Sequence, residues 1–146
     1  MKIRKLEFTD YEQYHILINN FRNTKFTKEE FINILNEINL SKSDIWVIEI
    51  NNELIATATI LYENKFIYNI CKFAHVEDVC VKKEYRGKGY GKIIMKKLIE
   101  ESVKNGCYKI TLNCADENIK FYESCGLTRR GNQMSELISN ISAKSD

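Results

Sequence analysis

The sequence predicts a single α/β (α+β) domain built around one mixed sheet, and three observations support this prediction. The chain has 146 residues, of which 44% are hydrophobic, and this suits one domain with a well-buried core. Segments rich in β-forming residues alternate with segments whose apolar residues recur at three- and four-residue steps. No internal repeat, low-complexity segment or linker divides the chain. We therefore expect one domain over residues 1–138 and a polar tail over residues 139–146.

The first part of the chain predicts a strand followed by two helices. Residues 2–7 favour a strand, and Asp10 is placed to cap a helix over residues 11–21. Thr27 and Glu30 have the spacing of a capping box, in which each side chain accepts a hydrogen bond from the other residue's amide. A second helix is expected to begin there.

Four strands are expected next. Residues 45–50 and 54–62 are rich in β-forming residues, and the Asn-Asn pair between them favours a hairpin turn. Residues 65–71 and 75–81 indicate two further strands.

The last part of the chain predicts a helix, a strand, a helix and a strand. A glycine-rich turn at residues 86–91 opens a long helix that continues through Val103 and stops at an Asn-Gly pair. A strand, a short helix and a final strand are then expected at residues 108–114, at residues 116–124 and from Leu127 onward.

Composition argues against several classes of protein. Lys and Arg number 22 and Asp and Glu number 20, a balance that gives no reason to expect a nucleic-acid partner. No apolar run approaches the ~20 residues of a membrane span, and early acidic residues argue against a signal peptide. We therefore expect a cytoplasmic protein without a membrane partner. Five cysteines without a CxxC pair favour reduced thiols over a disulfide framework or a metal site.

The segment VCVKKEYRGKGYGK, which begins at Val79, is the most informative part of the sequence. It combines a strand, three alternating glycines and the start of a helix. Amides without obstructing Cβ atoms, close to the positive end of a helix dipole, suit a phosphate or pyrophosphate group. A Rossmann fingerprint does not fit, because the third glycine comes one residue early. A P-loop does not fit either, because Lys92 is followed by Ile93 rather than by Ser or Thr.

Arg86, Gly89 and Gly91 form the pattern R-x-x-G-x-G, which resembles the acyl-CoA pyrophosphate loop of the GCN5-related N-acetyltransferase superfamily. The later segment NIKFYESCGL is similar to the tyrosine segment of that superfamily. Together with HVEDVCV and GCYKITLNC, these segments resemble one branch, the glucosamine-6-phosphate N-acetyltransferases. The resemblance implies a sheet splayed at the acyl-CoA site and flanked by about four helices. It also implies acetyl-CoA as co-substrate, an aminosugar phosphate as acceptor, and a homodimer.

The resemblance also implies the catalytic residues, namely Glu77, Asp78 and Tyr122. An aminosugar must lose an ammonium proton before it attacks, so a base is useful. We assign that role to Glu77, directly or through water, and the orientation of the sugar to Asp78. Adjacent strand residues point to opposite faces unless a bulge re-aims one of them. Tyr122 is expected to hold a proton at neutral pH and to deliver it to, or share it with, the departing thiolate.

The remaining site residues also follow from the resemblance, which places the backbone N–H groups of residues 79–81 along the acetyl and pantetheine arm. The residues expected to contact acetyl-CoA are Val79, Cys80, Val81, Arg86, Gly87, Lys88, Gly89, Tyr90, Gly91, Lys92, Asn113, Asn118 and Tyr122. The residues expected to contact the acceptor and its phosphate, some of them across a dimer interface, are Arg22, Lys65, Phe66, Ile67, Tyr68, Glu77, Asp78, Tyr108 and Lys109.

Three positions depart from the pattern of the branch. Asn113 stands where members carry a carboxylate, and an amide cannot act as a base. Arg22 replaces a threonine and is a candidate phosphate contact. A substrate-binding arginine near the C-terminus aligns with Leu137 or is absent, and Arg129 or Arg130 are candidates to replace it.

Two alternative functions stay open at this point. The same fold could acetylate another amine, such as a polyamine, a protein N-terminus or an aminoglycoside. The chain could also be an acyl-CoA-binding sensor without turnover, an alternative that Asn113 raises. An acidic acceptor groove would favour a cationic substrate, whereas Lys65 and Lys109 favour an anionic one.

Overall fold

A computed structural model of the chain describes residues 1–139. These residues form five strands in one mixed sheet, ordered β1-β2-β3-β4-β5, and four α-helices. The predicted fold class is confirmed. The strands are β1 (Lys2–Lys5), β2 (Ser43–Ile50), β3 (Glu53–Lys65), β4 (Cys71–Val81) and β5 (Lys109–Thr111). The helices are α1 (Tyr11–Ile18), α2 (Lys28–Leu40), α3 (Tyr90–Lys104) and α4 (Ile119–Ser124).

Helices cover both faces of the sheet. Val47 in β2 faces α1 and α2, whereas its neighbour Ile48 faces α3, as the alternation of a strand requires. Both side chains are fully buried. The first layer includes Leu17, Phe31, Leu35, Val47 and Leu54. The second layer includes Ile48, Ile55, Ala74, Ile94, Met95 and Leu98.

The two N-terminal helices begin close to where the sequence predicts. The capping box at α2 is confirmed: Thr27 Oγ1 accepts from the Glu30 amide at 3.1 Å, and Glu30 Oε1 accepts from the Thr27 amide at 2.9 Å. Asp10 takes the N-cap position of α1, but its side chain does not cap that helix. Its carboxylate instead accepts from the Glu7 amide and pairs with Arg4 at 2.8 Å. A nearby guanidinium therefore outcompetes the helix amides for this carboxylate.

The hairpin between β3 and β4 differs from the prediction. Lys65 is the last residue of β3 and Cys71 the first of β4, so the separate strand expected at residues 65–71 is wrong. The chain turns there through three consecutive residues with positive φ, namely Tyr68, Asn69 and Ile70. Aromatic and β-branched residues rarely adopt this conformation, so their β-forming character misled the prediction.

The C-terminal part also differs from the prediction. Residues 127–139 form no strand and are almost entirely exposed, so the last strand expected from Leu127 is wrong for the described residues. Two adjacent arginines and Gly131 interrupt the apolar pattern there, and the segment does not pair with the outer edge of β5. Of the predicted polar tail, only Ser139 is described. Among the described helices, none is long and apolar enough to cross a membrane.

Candidate active site

The sheet opens between β4 and β5. These parallel strands pair at Phe73 with Lys109, at Ala74 with Ile110 and at His75 with Thr111. β5 then ends, while β4 continues to Val81. In the described part of the chain no strand accompanies the rest of β4 on this side. Its backbone amides and carbonyls are therefore available to a ligand, which agrees with the splayed sheet that the family resemblance implies.

A bulge in β4 re-aims the acidic pair. Thr59 pairs with Glu77, whereas Thr57 pairs with Cys80. Asp78 and Val79 consequently lie opposite a single residue of β3, and Asp78 adopts a positive φ of 52°. Glu77 and Asp78 are both exposed. The bulge also reverses the alternation, so Cys80 faces α1 and α2. The sequence allowed for a bulge here but could not place it.

Tyr14 of α1 lies close to this bulge. Burial is the main factor that raises the pKa of Tyr14 to about 12, and the charge of Asp78 adds to the effect. The phenol therefore stays neutral and able to donate a hydrogen bond near Asp78. No local motif in the sequence connects the helix that carries Tyr14 with the distant acidic pair.

The glycine loop between β4 and α3 is open. Gly87 and Gly89 have positive φ values of 74° and 91°, and an ideal Cβ at either position would have no atom within 4 Å. Gly89 is the N-cap residue of α3, so the positive end of the helix dipole lies beside the loop. Unobstructed amides and this dipole fit a pyrophosphate group.

The residues that precede the glycines are held in place by ionic and polar contacts. The Glu53 carboxylate accepts from the Tyr85 hydroxyl at 2.7 Å and pairs with Lys82. These contacts, with Lys82 first, hold the pKa of Glu53 below its usual range. Arg86 Nε donates to the Val81 carbonyl at 2.9 Å. Part of the Arg86 guanidinium is therefore used to brace the loop, a role that the motif alone does not indicate.

Tyr122 lies in α4 and is partly buried against the core beside α3. Burial raises its pKa to about 12, and the nearby thiols Cys114 and Cys125 add to the effect. All three residues line one cavity of about 1210 Å³, together with Asn113. The phenol is therefore held in its protonated form throughout the neutral range.

Four predicted acceptor-binding residues meet around Phe73. The ammonium groups of Lys65 and Lys109 lie 5.2 Å and 4.6 Å from the centroid of the Phe73 ring. The Tyr108 ring stacks on Tyr68 with centroids 4.6 Å apart. This basic aromatic cluster, as we call the five residues, suits an anion such as a phosphate group through Lys109 and through Lys65, which also pairs with the Glu63 carboxylate at 3.5 Å.

The basic aromatic cluster lies on the same face of β4 as Glu77 but at a distance from it. Phe73 and Glu77 share a face because the strand alternates regularly up to the bulge. Four residues of strand separate them by about 13 Å. The cluster and the acidic pair therefore mark two ends of one surface.

Other predicted site residues lie in a turn or at the end of a helix. Phe66 and Ile67 are exposed at the turn between β3 and β4. The Arg22 guanidinium lies 5.8 Å from the Phe21 ring, just beyond α1. Asn118 is exposed at the N-terminus of α4.

The candidate substitutes for a C-terminal arginine lie near one another. Arg129 and Arg130 line the same cavity as Tyr122, whereas Leu137 is exposed.

Near the glycine loop, Lys88 lies 5.5 Å from the Tyr85 ring, Tyr90 meets that ring edge to face, and Lys92 is exposed.

A sheet that splays beside a glycine loop at the start of a helix defines the acyl-CoA-dependent acetyltransferase class. Residues 7–127 match the family described as Acetyltransferase (GNAT) family. The chain belongs to this family, whose members use acetyl-CoA, and the resemblance found in the sequence is confirmed.

Individual relatives and solved structures agree with this assignment. The chain is 38% identical over 141 residues to glucosamine 6-phosphate N-acetyltransferase 1 of Dictyostelium discoideum, covering 92% of this chain and 89% of the relative. It is 39% identical over 141 residues to the glucosamine 6-phosphate N-acetyltransferase of Arabidopsis thaliana, covering 92% and 95%. The crystal structure of glucosamine-6-phosphate N-acetyltransferase from Arabidopsis thaliana matches with a TM-score of 0.90 at 38% identity, covering 94% and 98%. An acetyltransferase of Trypanosoma brucei matches with a TM-score of 0.87 at 26% identity, covering 94% and 99%.

Proposed function

We propose that the protein transfers an acetyl group from acetyl-CoA to the 2-amino group of D-glucosamine 6-phosphate. The product is N-acetyl-D-glucosamine 6-phosphate, for the biosynthesis of UDP-N-acetylglucosamine. The main support is that relatives 32–39% identical over about nine tenths of the chain are glucosamine 6-phosphate N-acetyltransferases. The basic aromatic cluster adds support, because two lysines at one surface suit an anionic acceptor.

Acetyl-CoA fits the loop and the open strand, and supplies an acetyl group activated as a thioester. Gly87 and Gly89 leave room above their amides for the pyrophosphate, and Arg86 and Lys88 provide cations beside them. Backbone amides of β4 from Val79 onward are suited to hold the pantetheine arm and to donate to the carbonyl oxygen as it gains charge.

Glu77 is the favoured base. It is exposed at the open end of β4, next to the bulge, where a carboxylate can accept a proton from an ammonium group directly or through water. Asp78 is held at a positive φ beside Tyr14. We assign it to orient the sugar by accepting hydrogen bonds from the hydroxyl groups of the sugar.

Tyr122 is assigned to stabilise the departing thiolate. With a pKa of about 12, the phenol is a much weaker acid than a thiol, whose pKa is about 8.5. Complete proton transfer to the thiolate would therefore run uphill. A charge-assisted hydrogen bond from the phenol is the more favourable contribution.

Thiol release from acetyl-CoA with a panel of amines tests this function. We expect rapid turnover of glucosamine 6-phosphate and little turnover of glucosamine, since the phosphate provides binding energy. Turnover only with a polyamine, a peptide N-terminus or an aminoglycoside would overturn the proposed acceptor. Tight binding of CoA with no turnover of any amine would indicate a sensor instead.

We further propose that the protein acts as a homodimer in the cytoplasm. Met134, Leu137 and Ile138 are largely exposed, and among residues 1–139 no strand covers the outer edge of β5. Apolar side chains and a free sheet edge are features that a second copy can bury. The five cysteines are free, which suits a reducing compartment.

Light scattering of the purified protein tests the dimer. We expect twice the chain mass of 17.2 kDa, and a monomer when Met134, Leu137 and Ile138 are all replaced by Asp. A wild-type monomer at micromolar concentration would overturn this proposal.

A further inference from the structure

Every polar group of Asn20, which follows α1, forms a hydrogen bond. Its amide N–H donates to the Leu17 carbonyl at 2.9 Å, and Nδ2 donates to the Ile16 carbonyl at 3.1 Å. Its side-chain Oδ1 accepts from the Lys83 amide at 2.9 Å, and its carbonyl accepts from Arg86 Nη2 at 3.0 Å. Its donors thus bind α1, and its acceptors bind the segment that leads into the glycine loop.

That segment, residues 82–86, is held from two sides. Glu53 binds Lys82 and Tyr85 from the start of β3, and Asn20 binds Lys83 and Arg86 from the end of α1. The contacts end at Arg86, immediately before the exposed glycines. The orientation of the glycine amides therefore depends on how firmly this segment is fixed.

We propose that Asn20 is a positioning residue for acetyl-CoA, an inference that rests on the proposed function. Asn20 fixes the segment so that the loop amides meet the pyrophosphate without a prior rearrangement. It also helps to orient Arg86, since two of the five guanidinium N–H groups donate to the Val81 and Asn20 carbonyls.

The expected effect is on affinity rather than on folding. Lys83 and Arg86 are exposed, so water can replace the lost side-chain contact in the free protein. The loop must then be ordered during binding, which reduces affinity for the ligand. One net hydrogen bond contributes about 0.5–1.5 kcal/mol, equivalent to a roughly 2- to 12-fold change in affinity.

Calorimetric titration with CoA, in the absence of an acceptor, provides the test. We expect Asn20→Ala to raise the Kd for CoA and the KM for acetyl-CoA by about 3- to 10-fold, with kcat and Tm nearly unchanged. Asn20→Asp keeps an acceptor for the Lys83 amide, so it should restore most of the affinity at moderate salt. Asn23→Ala, a change at an exposed residue of the same connection, is the matched control.

A substitution on the other side of the contact gives an independent test. Lys83 is the first residue of a short 3-10 helix. Lys82 before it has φ −55° and ψ 137°, an extended conformation that is compatible with a proline at the next position. Lys83→Pro removes the N–H that Asn20 accepts, whereas Lys83→Ala keeps it. We expect Lys83→Pro to weaken CoA binding as much as Asn20→Ala does. The variant that combines both changes should bind CoA no more weakly than either single variant, because both remove the same hydrogen bond.

The outcomes separate this inference from the proposed function. Wild-type protein that fails to bind CoA would overturn the proposed function and the inference with it. Wild-type protein that binds CoA and acetylates glucosamine 6-phosphate, with unchanged affinity in Asn20→Ala and Lys83→Pro, would overturn the inference alone. A large fall in Tm with unchanged CoA affinity would show that Asn20 has only a structural role.

Discussion

Gly91 lies directly against the ring of Phe121. An ideal Cβ at position 91 would stand 2.9 Å from Phe121 Cζ and 3.1 Å from Cε1. The first turn of α3 and α4 can approach this closely only because residue 91 has no side chain. Phe121 in turn meets Tyr122 edge to face, with ring centroids 4.9 Å apart. The glycine loop and the proposed thiolate-stabilising tyrosine are thus connected through one aromatic ring.

We expect Gly91→Ala to impair catalysis by displacing this ring. The added methyl group must push Phe121 aside, and Tyr122 moves with it, so kcat should fall by about tenfold or more. Overpacking costs about 1–3 kcal/mol, of which the better helix propensity of alanine offsets about 1 kcal/mol. Steady-state kinetics and thermal unfolding measure the two effects. Lys96→Ala, at an exposed position of α3, is the control and should leave both unchanged. Full activity in Gly91→Ala would contradict the proposed connection.

Local patterns in the sequence predicted the elements whose causes are local. The Thr27 and Glu30 side chains complete their capping box within four residues. The Asn51-Asn52 turn is confirmed, and both residues adopt the positive φ that asparagine tolerates. The glycine loop was also recognisable from the sequence, because the glycines that leave its amides unobstructed lie within one short segment.

Features that depend on distant contacts were not predictable in this way. The bulge at Asp78 results from the register between β3 and β4. Asn20 contacts a segment far along the chain, and nothing in its neighbourhood in the sequence indicates that. The turn at residues 66–70 contains no glycine or proline, and its single turn-forming residue, Asn69, lies among β-forming neighbours that hide the signal.

The acidic pair should separate into two kinetic roles. Glu77→Gln removes a proton acceptor but keeps the shape of the side chain, so we expect kcat to fall by about 10²- to 10⁴-fold with little change in the Kd for CoA. Asp78→Asn should mainly raise the KM for glucosamine 6-phosphate, because it alters contacts with the sugar. Glu100→Gln, at an exposed position of α3, is the control. An unchanged kcat in Glu77→Gln would remove Glu77 as the base.

Tyr122→Phe should slow the reaction without changing the shape of its pH profile. Loss of the hydroxyl removes the hydrogen bond to the thiolate, and we expect kcat to fall by roughly 10- to 10⁴-fold. The pKa of Tyr122 is raised to about 12, so the phenol would lose its proton only as the pH approaches that value. Wild-type kcat should therefore show no alkaline decline due to Tyr122 below about pH 11. A decline near pH 9–10 that disappears in Tyr122→Phe would show that the bound state lowers this pKa, and proton transfer would then be the better description.

The contacts of Glu53 should make CoA affinity depend on pH at the acid end. Hydrogen bonds from Lys82 and Tyr85 hold its pKa below the usual range, so the carboxylate favours the anchored loop at every pH above about 4.3. The contribution is lost only as the pH falls through the lowered pKa of the folded protein. Glu53→Gln keeps an acceptor for the Tyr85 hydroxyl but loses the ion pair with Lys82, which is half-buried; pairs open to solvent contribute about 0.2–1 kcal/mol. We therefore expect Glu53→Gln to raise the Kd for CoA roughly two- to fivefold at pH 7, with kcat unchanged, and to match wild type once the carboxylate is protonated. Glu84→Gln, an exposed change in the same segment, is the control for general charge effects on an anionic ligand. If Glu53→Gln and Glu84→Gln both bound CoA more tightly than wild type, and to the same extent, these carboxylates would act by repelling the anionic ligand rather than by anchoring the loop.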